Sequence, residues 1–364
     1  MTTSQADHEF MARALALAER GLGRTTPNPA VGACIVAEGV VVGHGSTEPP
    51  GQRHAEIVAL DAAGGRARGA TLYCTLEPCA HTGRTGPCVD RIIAAGVTRV
   101  VAAVEDPDPR VRGRGFDRLR HAGLTVEVGV GAAEAVRVNL PFFTVHGKGR
   151  PMVIAKAAAS LDGCVAAAPG MRTALTSEAA NRRVQRTRAQ VDAVAVGSGT
   201  LLADDPRLDV RELYRARPLV RAVFDRRLRT PADARIFTTL DAGPVVILTS
   251  AAAVARHPEV AEALTARGAI VVPDADPTFP NLLRRLLAFD VHAVLLEGGP
   301  VLHGAAFAAD AVDIVQAYVS PISVGPGGVR ASAALLQSLP ALVGARVEAW
   351  GPDAVIEGYV HRID

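Results

Sequence analysis

Apolar positions along this chain fall into two periods, and the alternation between them predicts helices and strands in turn. Residues 7–20 place Phe10, Met11, Ala14, Leu15, Leu17 and Ala18 at helical spacing. AVGACIVA (30–37) and VVVGH (40–44) read as strands joined by a Gly-containing turn. HAEIVALDAAG (54–64) reads as a helix stopped by glycine, and ATLYCTL (70–76) as a strand running into a polar, turn-rich loop. PCVDRIIAAG (87–96) predicts a helix, with Pro87 suited to its first turn and Gly96 just past its end. TRVVAAV, GRGFDRLRHAG and LTVEVGV continue as strand, helix and strand. The order αββαβαβαβ predicts a sheet covered by helices on both faces.

VHGKGRP (145–151) is polar and Gly/Pro-containing between apolar segments, which predicts a boundary and two domains, 1–148 and 149–364. A second α/β pattern follows. MVIAKAAAS, DAVAVGS, LVRAVFD, PVVILTS, GAIVVP and HAVLLEG are its strands, and SEAANRRVQRTRAQ, NLLRRLLAF and GAAFAADA its helices. Lys156 interrupts the first of these apolar strands. A buried lysine needs a partner, so it marks a site rather than a solvated face. Gly298-Gly299-Pro300 follows an apolar strand and precedes a helical stretch, where free N–H groups suit a phosphate. Glycines that merely turn the chain give the same local pattern. No G-x-G-x-x-G lies at a strand-to-helix junction, which disfavours a Rossmann dinucleotide site.

Composition changes this picture little. At 364 residues the length suits two domains, and 49% hydrophobic with 21% charged residues is globular rather than disordered. A net charge of +2 gives no global case for nucleic-acid binding. No apolar run reaches the ~18 residues of a membrane span. The start, MTTSQADHEF, lacks a basic segment followed by an apolar one, so no signal peptide is expected. The cysteines Cys34, Cys74, Cys79, Cys88 and Cys164 are too sparse for a disulfide framework and suit a cytoplasmic protein with one thiolate metal site.

That metal site is read from spacing. His54-Ala55-Glu56 opens one helix, Pro78-Cys79 closes a strand and Pro87-Cys88 opens the next helix. One imidazole and two thiolates give three ligands for tetrahedral zinc and leave a fourth position for water, whose pKa the metal lowers toward ~7. The helix start at Cys88 favours its thiolate. Glu56 is placed to take a proton from the water and pass it to a departing amine. His-x-Glu followed by Pro-Cys-x-x-Cys is the signature of zinc nucleobase deaminases. Here eight residues separate the two cysteines instead of two, and the polar insert 80–87 with its Arg84 suits closure over an anionic group. A structural zinc with His81 as fourth ligand is the competing reading.

At this point the chain resembles a known family, the bifunctional riboflavin-biosynthesis deaminase/reductases, over nearly its whole length. The first-half match rests on Pro27-Asn28-Pro29 with Val31-Gly32, on His54-Ala55-Glu56 and on TLEPCAHTGRTGPC (75–88). The second rests on Lys156 with Ala159-Ser160-Leu161-Asp162-Gly163, on Gly199-Thr200, Leu202-Ala203-Asp204-Asp205-Pro206, Glu297-Gly298-Gly299-Pro300 and Gly304. The resemblance implies an α/β chain with an N-terminal cytidine-deaminase-like three-layer domain followed by a dihydrofolate-reductase-like domain. It implies zinc-dependent deamination of a pyrimidine ribotide, then reduction of its ribosyl group to ribityl by NADPH. By position, His54, Cys79 and Cys88 would hold zinc, Glu56 would shuttle the proton, and Asn28, His81 and Arg84 would face the nucleotide. Lys156, Arg172, Arg188, Leu208, Arg211 and Glu297 would contact substrate. Ala158, Ala174, Thr200, Asp204, Arg226 and the run Gly299, Pro300, Val301, Leu302, His303, Gly304 and Ala305 would line the cofactor. The implied setting is cytoplasmic, a homodimer through the reductase domain, with neither nucleic acid nor membrane as partner.

The chain departs from the family after Asp162-Gly163. A usual Ser-x-Trp-Ile-Thr/Ser segment is here Arg172-Thr173-Ala174-Leu175-Thr176, and Arg226 follows Asp225 where serine is common. Lost stacking at Ala174 and two added arginines bear on the strength of the reductase and its cofactor preference. The alternatives are a chain with an active deaminase and a weak reductase, a nucleoside or tRNA deaminase with an unrelated second domain, and a nucleotide-binding protein with a structural metal.

Overall fold

Ser4 starts the first helix. Its hydroxyl accepts the Asp7 N–H while the Asp7 carboxylate accepts the Ser4 N–H, a reciprocal cap that opens α1 (Gln5–Glu19). The computed structural model describes residues 4–81 and 86–362, and its contacts divide the chain into two units, one up to residue 148 and one from residue 149. After α1 the first unit runs through β1 (Gly32–Ala37), β2 (Val40–Ser46), α2 (Ala55–Ala63), β3 (Thr71–Cys74), α3 (Cys88–Ala94), β4 (Arg99–Ala102), α4 (Arg114–His121), β5 (Thr125–Val128), α5 (Ala132–Val138) and α6 (Leu140–Lys148).

Its sheet has the order β2-β1-β3-β4-β5, with β1 antiparallel to both neighbours and β3, β4 and β5 parallel. The two-residue period of each strand sorts its side chains onto two cores. Ala33, Ile35, Leu72, Cys74, Val100 and Ala102 pack with Leu60, Val89, Ile92, Phe116 and Leu119 from α2, α3 and α4. Cys34, Val36, Tyr73 and Val101 pack with Met11, Ala14 and Ala135 from α1 and α5. Gly32 permits the close approach of α1, since a Cβ there would stand 1.9 Å from Ala14 O. Three layers result, as the pattern of elements predicts.

The second unit contains β6 (Met152–Ser160), β7 (Cys164–Ala166), α7 (Glu178–Gln190), β8 (Ala193–Gly197), α8 (Ser198–Asp204), β9 (Val220–Phe224), β10 (Val245–Ser250), α9 (Ala251–Arg256), α10 (Pro258–Ala266), β11 (Ala269–Asp274), α11 (Phe279–Arg285), β12 (Ala293–Leu296), α12 (Pro300–Ala308), β13 (Ile314–Ser320), β14 (Val329–Arg330), α13 (Ala333–Ser338), β15 (Val343–Trp350) and β16 (Asp353–Tyr359). Nine strands form one sheet, β11-β10-β9-β8-β12-β6-β13-β16-β15. It is parallel from β11 through β13, and β16 and β15 add on antiparallel.

The structure departs from the sequence expectations at several places. Residues 145–148 of the expected linker form the end of α6. The strand 70–76 ends at Cys74, so Cys79 lies in the loop beyond it rather than closing a strand. NLLRRLLAF begins as α11 and tightens to a 3-10 turn over Leu286–Phe289. The helix read at GAAFAADA starts earlier, at Pro300. Helices α5, α6, α8, α9, α10 and α13 and strands β7 and β13 to β16 have no sequence counterpart in the pattern. Most are short, and β15 is exposed over Val343–Ala349, so no alternation of burial marks it. Among the described residues no helix is long and apolar enough to cross a membrane.

Candidate active sites

Two helix starts and one loop build the first site. His54 is the N-cap of α2, Cys88 is the first residue of α3, and Cys79 lies in the loop between β3 and α3. His54 Nδ1 stands 3.6 Å from Cys79 Sγ and 3.3 Å from Cys88 Sγ, and the three ligand atoms all lie within 4.8 Å of one another. Ligands at roughly 2.0–2.3 Å from a tetrahedral zinc stand roughly 3.5 Å apart. The soft donor set and its spacing therefore fit that metal. His81 does not join the cluster, so the competing four-ligand structural site is not formed by it.

Glu56, in the first turn of α2, is 4% exposed. Burial pushes its carboxyl up to about 7, against the opposing charge of His54. The Cys88 thiol donates to Cys79 and its own ionisation is pushed well up, whereas Cys79 is pushed down. The backbone N–H of Cys88 points to Cys79 Sγ, at 3.3 Å, so the start of α3 also bears on the neighbouring sulfur.

Of the expected nucleotide contacts, Asn28 sits half-buried in the turn before β1, its N–H donating to Thr25 O at 2.8 Å. His81 Nδ1 is buried without a hydrogen-bond partner among the described residues. Arg84 lies outside the described residues.

The second site is a cavity of about 1020 Å³ in the second unit. It lies at the carboxyl ends of β8, β9 and β12, where open parallel sheets bind ligands. Lys156, Ala158, Arg172, Ala174, Arg188, Thr200, Asp204, Leu208, Arg211, Arg226, Glu297, Gly299, Pro300, Val301, Leu302, His303 and Ala305 all line it. Gly304 is not among the lining residues, and a Cβ there would face Ser332 Oγ at 3.9 Å. His303 lines the wall, and its Nε2 is hydrogen-bonded to Leu296 O at 3.1 Å, which ties α12 to the end of β12.

Arg188 grips both Glu297 oxygens, Nε to Oε1 at 2.7 Å and Nη2 to Oε2 at 3.1 Å, and donates to Asp209 O at 2.7 Å. Lys156 Nζ lies 3.9 Å from Glu297 Oε2 and 5.5 Å from the Tyr318 ring centroid. Burial opposes the charge on Glu297, but Arg188 and Lys156 outweigh it and hold the carboxyl down at about 2. Burial pushes Lys156 down, opposed by Glu297. The partner that the buried lysine demands is thus found. Burial likewise pushes Asp204 up, opposed by the charges of Arg172 and Lys156. Sequence reasoning missed Arg227 and Arg229 on the cavity wall, which sit beside Arg226 in a turn held by Asp225 on the Thr230 N–H and hydroxyl. A run of three arginines within four residues after an apolar strand is the signal that marks them.

Comparison with known proteins covers both units. Residues 4–104 match the cytidine and deoxycytidylate deaminase zinc-binding region, and residues 151–356 match the RibD C-terminal domain. The riboflavin biosynthesis protein RibD of Aquifex aeolicus is 38% identical over 330 residues, 89% of this chain and 91% of that protein. The solved structure of Acinetobacter baumannii RibD superposes with a TM-score of 0.84 at 34% identity, over 98% of this chain and 99% of that one. A Thermotoga maritima structure, a diaminohydroxyphosphoribosylaminopyrimidine deaminase/5-amino-6-(5-phosphoribosylamino)uracil reductase, gives 0.84 at 32% identity over 97% and 98%. Identity at this level over both halves fixes the family: the chain belongs to the RibD bifunctional deaminase/reductases of riboflavin biosynthesis.

Proposed function

We propose that the first unit deaminates 2,5-diamino-6-ribosylamino-4(3H)-pyrimidinone 5′-phosphate and that the second reduces the ribosyl group of the product to ribityl. Zinc and NADPH are the cofactors of this family. The observation that carries the reading is the three-donor cluster of His54, Cys79 and Cys88 with the buried Glu56 carboxyl against Cys88. When bound, zinc supplies the Lewis acidity that makes water a nucleophile near neutral pH. Glu56 takes a proton from the attacking water and delivers it to the leaving amine, so that water enters and ammonia departs. Its burial keeps bulk water from competing for that proton. The unpartnered His81 Nδ1 supports a contact with the ring, and Asn28 and Arg84 complete the nucleotide subsite in this reading.

In the second unit the wall carries Arg172, Arg211, Arg226, Arg227 and Arg229, which suits a dinucleotide and a phosphorylated substrate, both polyanions. Glycine at 298 lets the chain pass close to α12, because a Cβ there would stand 2.9 Å from Leu302 Cβ. When bound, NADPH supplies the hydride. Arg188 and Lys156, both held by Glu297, orient the sugar, with Leu208 and Arg211 on the same wall. Side-by-side assays of free cytidine, tRNA adenosine and the pyrimidine ribotide test the substrate. Only the ribotide is expected to turn over, and preference for cytidine or tRNA contradicts the reading.

Arg172, Ala174 and Arg226 are where the sequence departs from the family pattern, and all three line the cavity. NADPH is expected to be preferred over NADH, since arginines suit the 2′-phosphate. Ala174→Trp is expected to tighten NADPH binding roughly two- to tenfold, the worth of one stacking contact. Arg172→Ser is expected to weaken it. Fluorescence titration of NADPH and NADH into the three proteins checks this, and equal affinity in all three contradicts it. The reading extends to a homodimer through the second unit, supported by the exposed edge strand β15 with Val347 70% exposed, and sedimentation of the full chain tests it. Its compartment in this reading is the cytoplasm, which suits thiolate ligands.

A further inference from the structure

Glu77 is a buried carboxylate that the chemistry above leaves unused. It lies two residues before Cys79, is 3% exposed, and is met by backbone rather than by any basic side chain. Its Oε1 accepts the N–H groups of Gly115 and Phe116 at 2.8 and 3.4 Å. Its Oε2 accepts those of Gly113 and Asp106 at 2.9 and 3.2 Å. Three of these donors belong to the start of α4, whose first-turn N–H groups have no partner within the helix. The Glu77 N–H in turn donates to Val104 O at 3.0 Å, just beyond β4.

Gly115 makes a second, independent link. A Cβ at this position would stand 2.1 Å from Pro78 O, the carbonyl of the peptide that leads into Cys79. Helix α4 therefore rests directly on the Pro78-Cys79 peptide, and only glycine allows it. On its other side Cys79 is held by α3, its carbonyl accepting the Val89 N–H at 3.3 Å and its sulfur the Cys88 N–H at 3.3 Å. Of the three donors Cys79 alone lies outside helix α2 and its cap and outside helix α3, so its placement depends on these packed contacts.

We infer that Glu77 and Gly115 are positioning residues that seat Cys79 for metal binding. The inference rests on the zinc reading above. Glutamine at 77 replaces one oxygen by an amide and leaves two backbone N–H groups facing N–H. Alanine at 115 pushes the Pro78 carbonyl away. Groups that orient a metal ligand typically contribute 10–100-fold in affinity.

The test uses the full chain loaded with Zn²⁺ or Co²⁺. Zinc transfer to a chromophoric chelator and the sulfur-to-Co²⁺ charge-transfer absorption are measured for wild type, Glu77→Gln, Gly115→Ala and Leu119→Ala. Leu119, on the same helix, is fully buried in the core and is neither Glu77 nor the residue against the Pro78 carbonyl, so its truncation serves as the control for lost packing alone. Glu77→Gln and Gly115→Ala are expected to weaken zinc about tenfold or more and to alter the Co²⁺ spectrum, while Leu119→Ala changes neither. Wild-type affinity and spectrum in the first two variants, or an equal change in Leu119→Ala, overturns the inference. So does failure of the first unit to fold in both variants, which assigns the pair to folding instead. A wild-type chain that takes up neither metal contradicts the zinc reading itself, a result distinct from these.

Discussion

Glu56→Gln is expected to leave zinc content unchanged and to lower deamination by roughly 10²–10⁴-fold, the usual contribution of a general acid–base group. Glutamine matches glutamate in size, so the buried pocket in the first turn of α2 stays filled. The change removes only the ability to accept and return a proton. Neither His54 nor the cysteines lose a contact that the metal needs, because Glu56 is not one of the three clustered donors. Metal analysis of the purified variant together with ammonia release from the ribotide checks both halves. Near-wild-type deamination by a zinc-loaded variant contradicts the role given to Glu56.

An effect at least as large is expected from the ligands. Cys79→Ala or Cys88→Ala is expected to lose zinc and to bring deamination down to background, since two donors leave the metal open to exchange. The same chains are expected to reduce supplied deaminated substrate at the wild-type rate. Each unit has its own sheet and its own buried cluster, and the described residues that line the cavity belong to the second unit. Metal analysis, ammonia release and NADPH oxidation measured on one preparation decide the matter. Loss of reduction in a folded Cys79→Ala chain contradicts the independence of the two activities.

Much of this was legible in the residues because the signals are local. Strands β1, β3 and β4 are short apolar runs that sit between helices with recognisable ends, so the three layers follow from the pattern. His54 and Cys88 sit at helix starts that histidine-alanine-glutamate and proline-cysteine announce. Lys156 stands out because it breaks an apolar strand, and the structure supplies Glu297 and Arg188 as the reason. What was not legible depends on partners far along the chain. Glu77 reads as an ordinary member of TLEPC until the N–H groups of Asp106, Gly113, Gly115 and Phe116 close on it. The hydrogen bond from the Cys88 N–H to Cys79 Sγ depends on how the loop folds back on α3, which spacing does not reveal. Helices α5 and α6 are only 7 and 9 residues long, with Pro141 at the start of α6, and strand β15 is exposed along its length, so neither region carries the contrast from which periodicity is read.

The central claim is that one chain carries out both a deamination and a reduction on the same ribotide. The most direct measurement is mass spectrometry of the products formed by the zinc-loaded full chain, with and without NADPH. The expected product without NADPH has one amine exchanged for oxygen, and with NADPH it has gained two hydrogens as well. A product that keeps both amines, or one that gains no hydrogen when NADPH is supplied, contradicts the account.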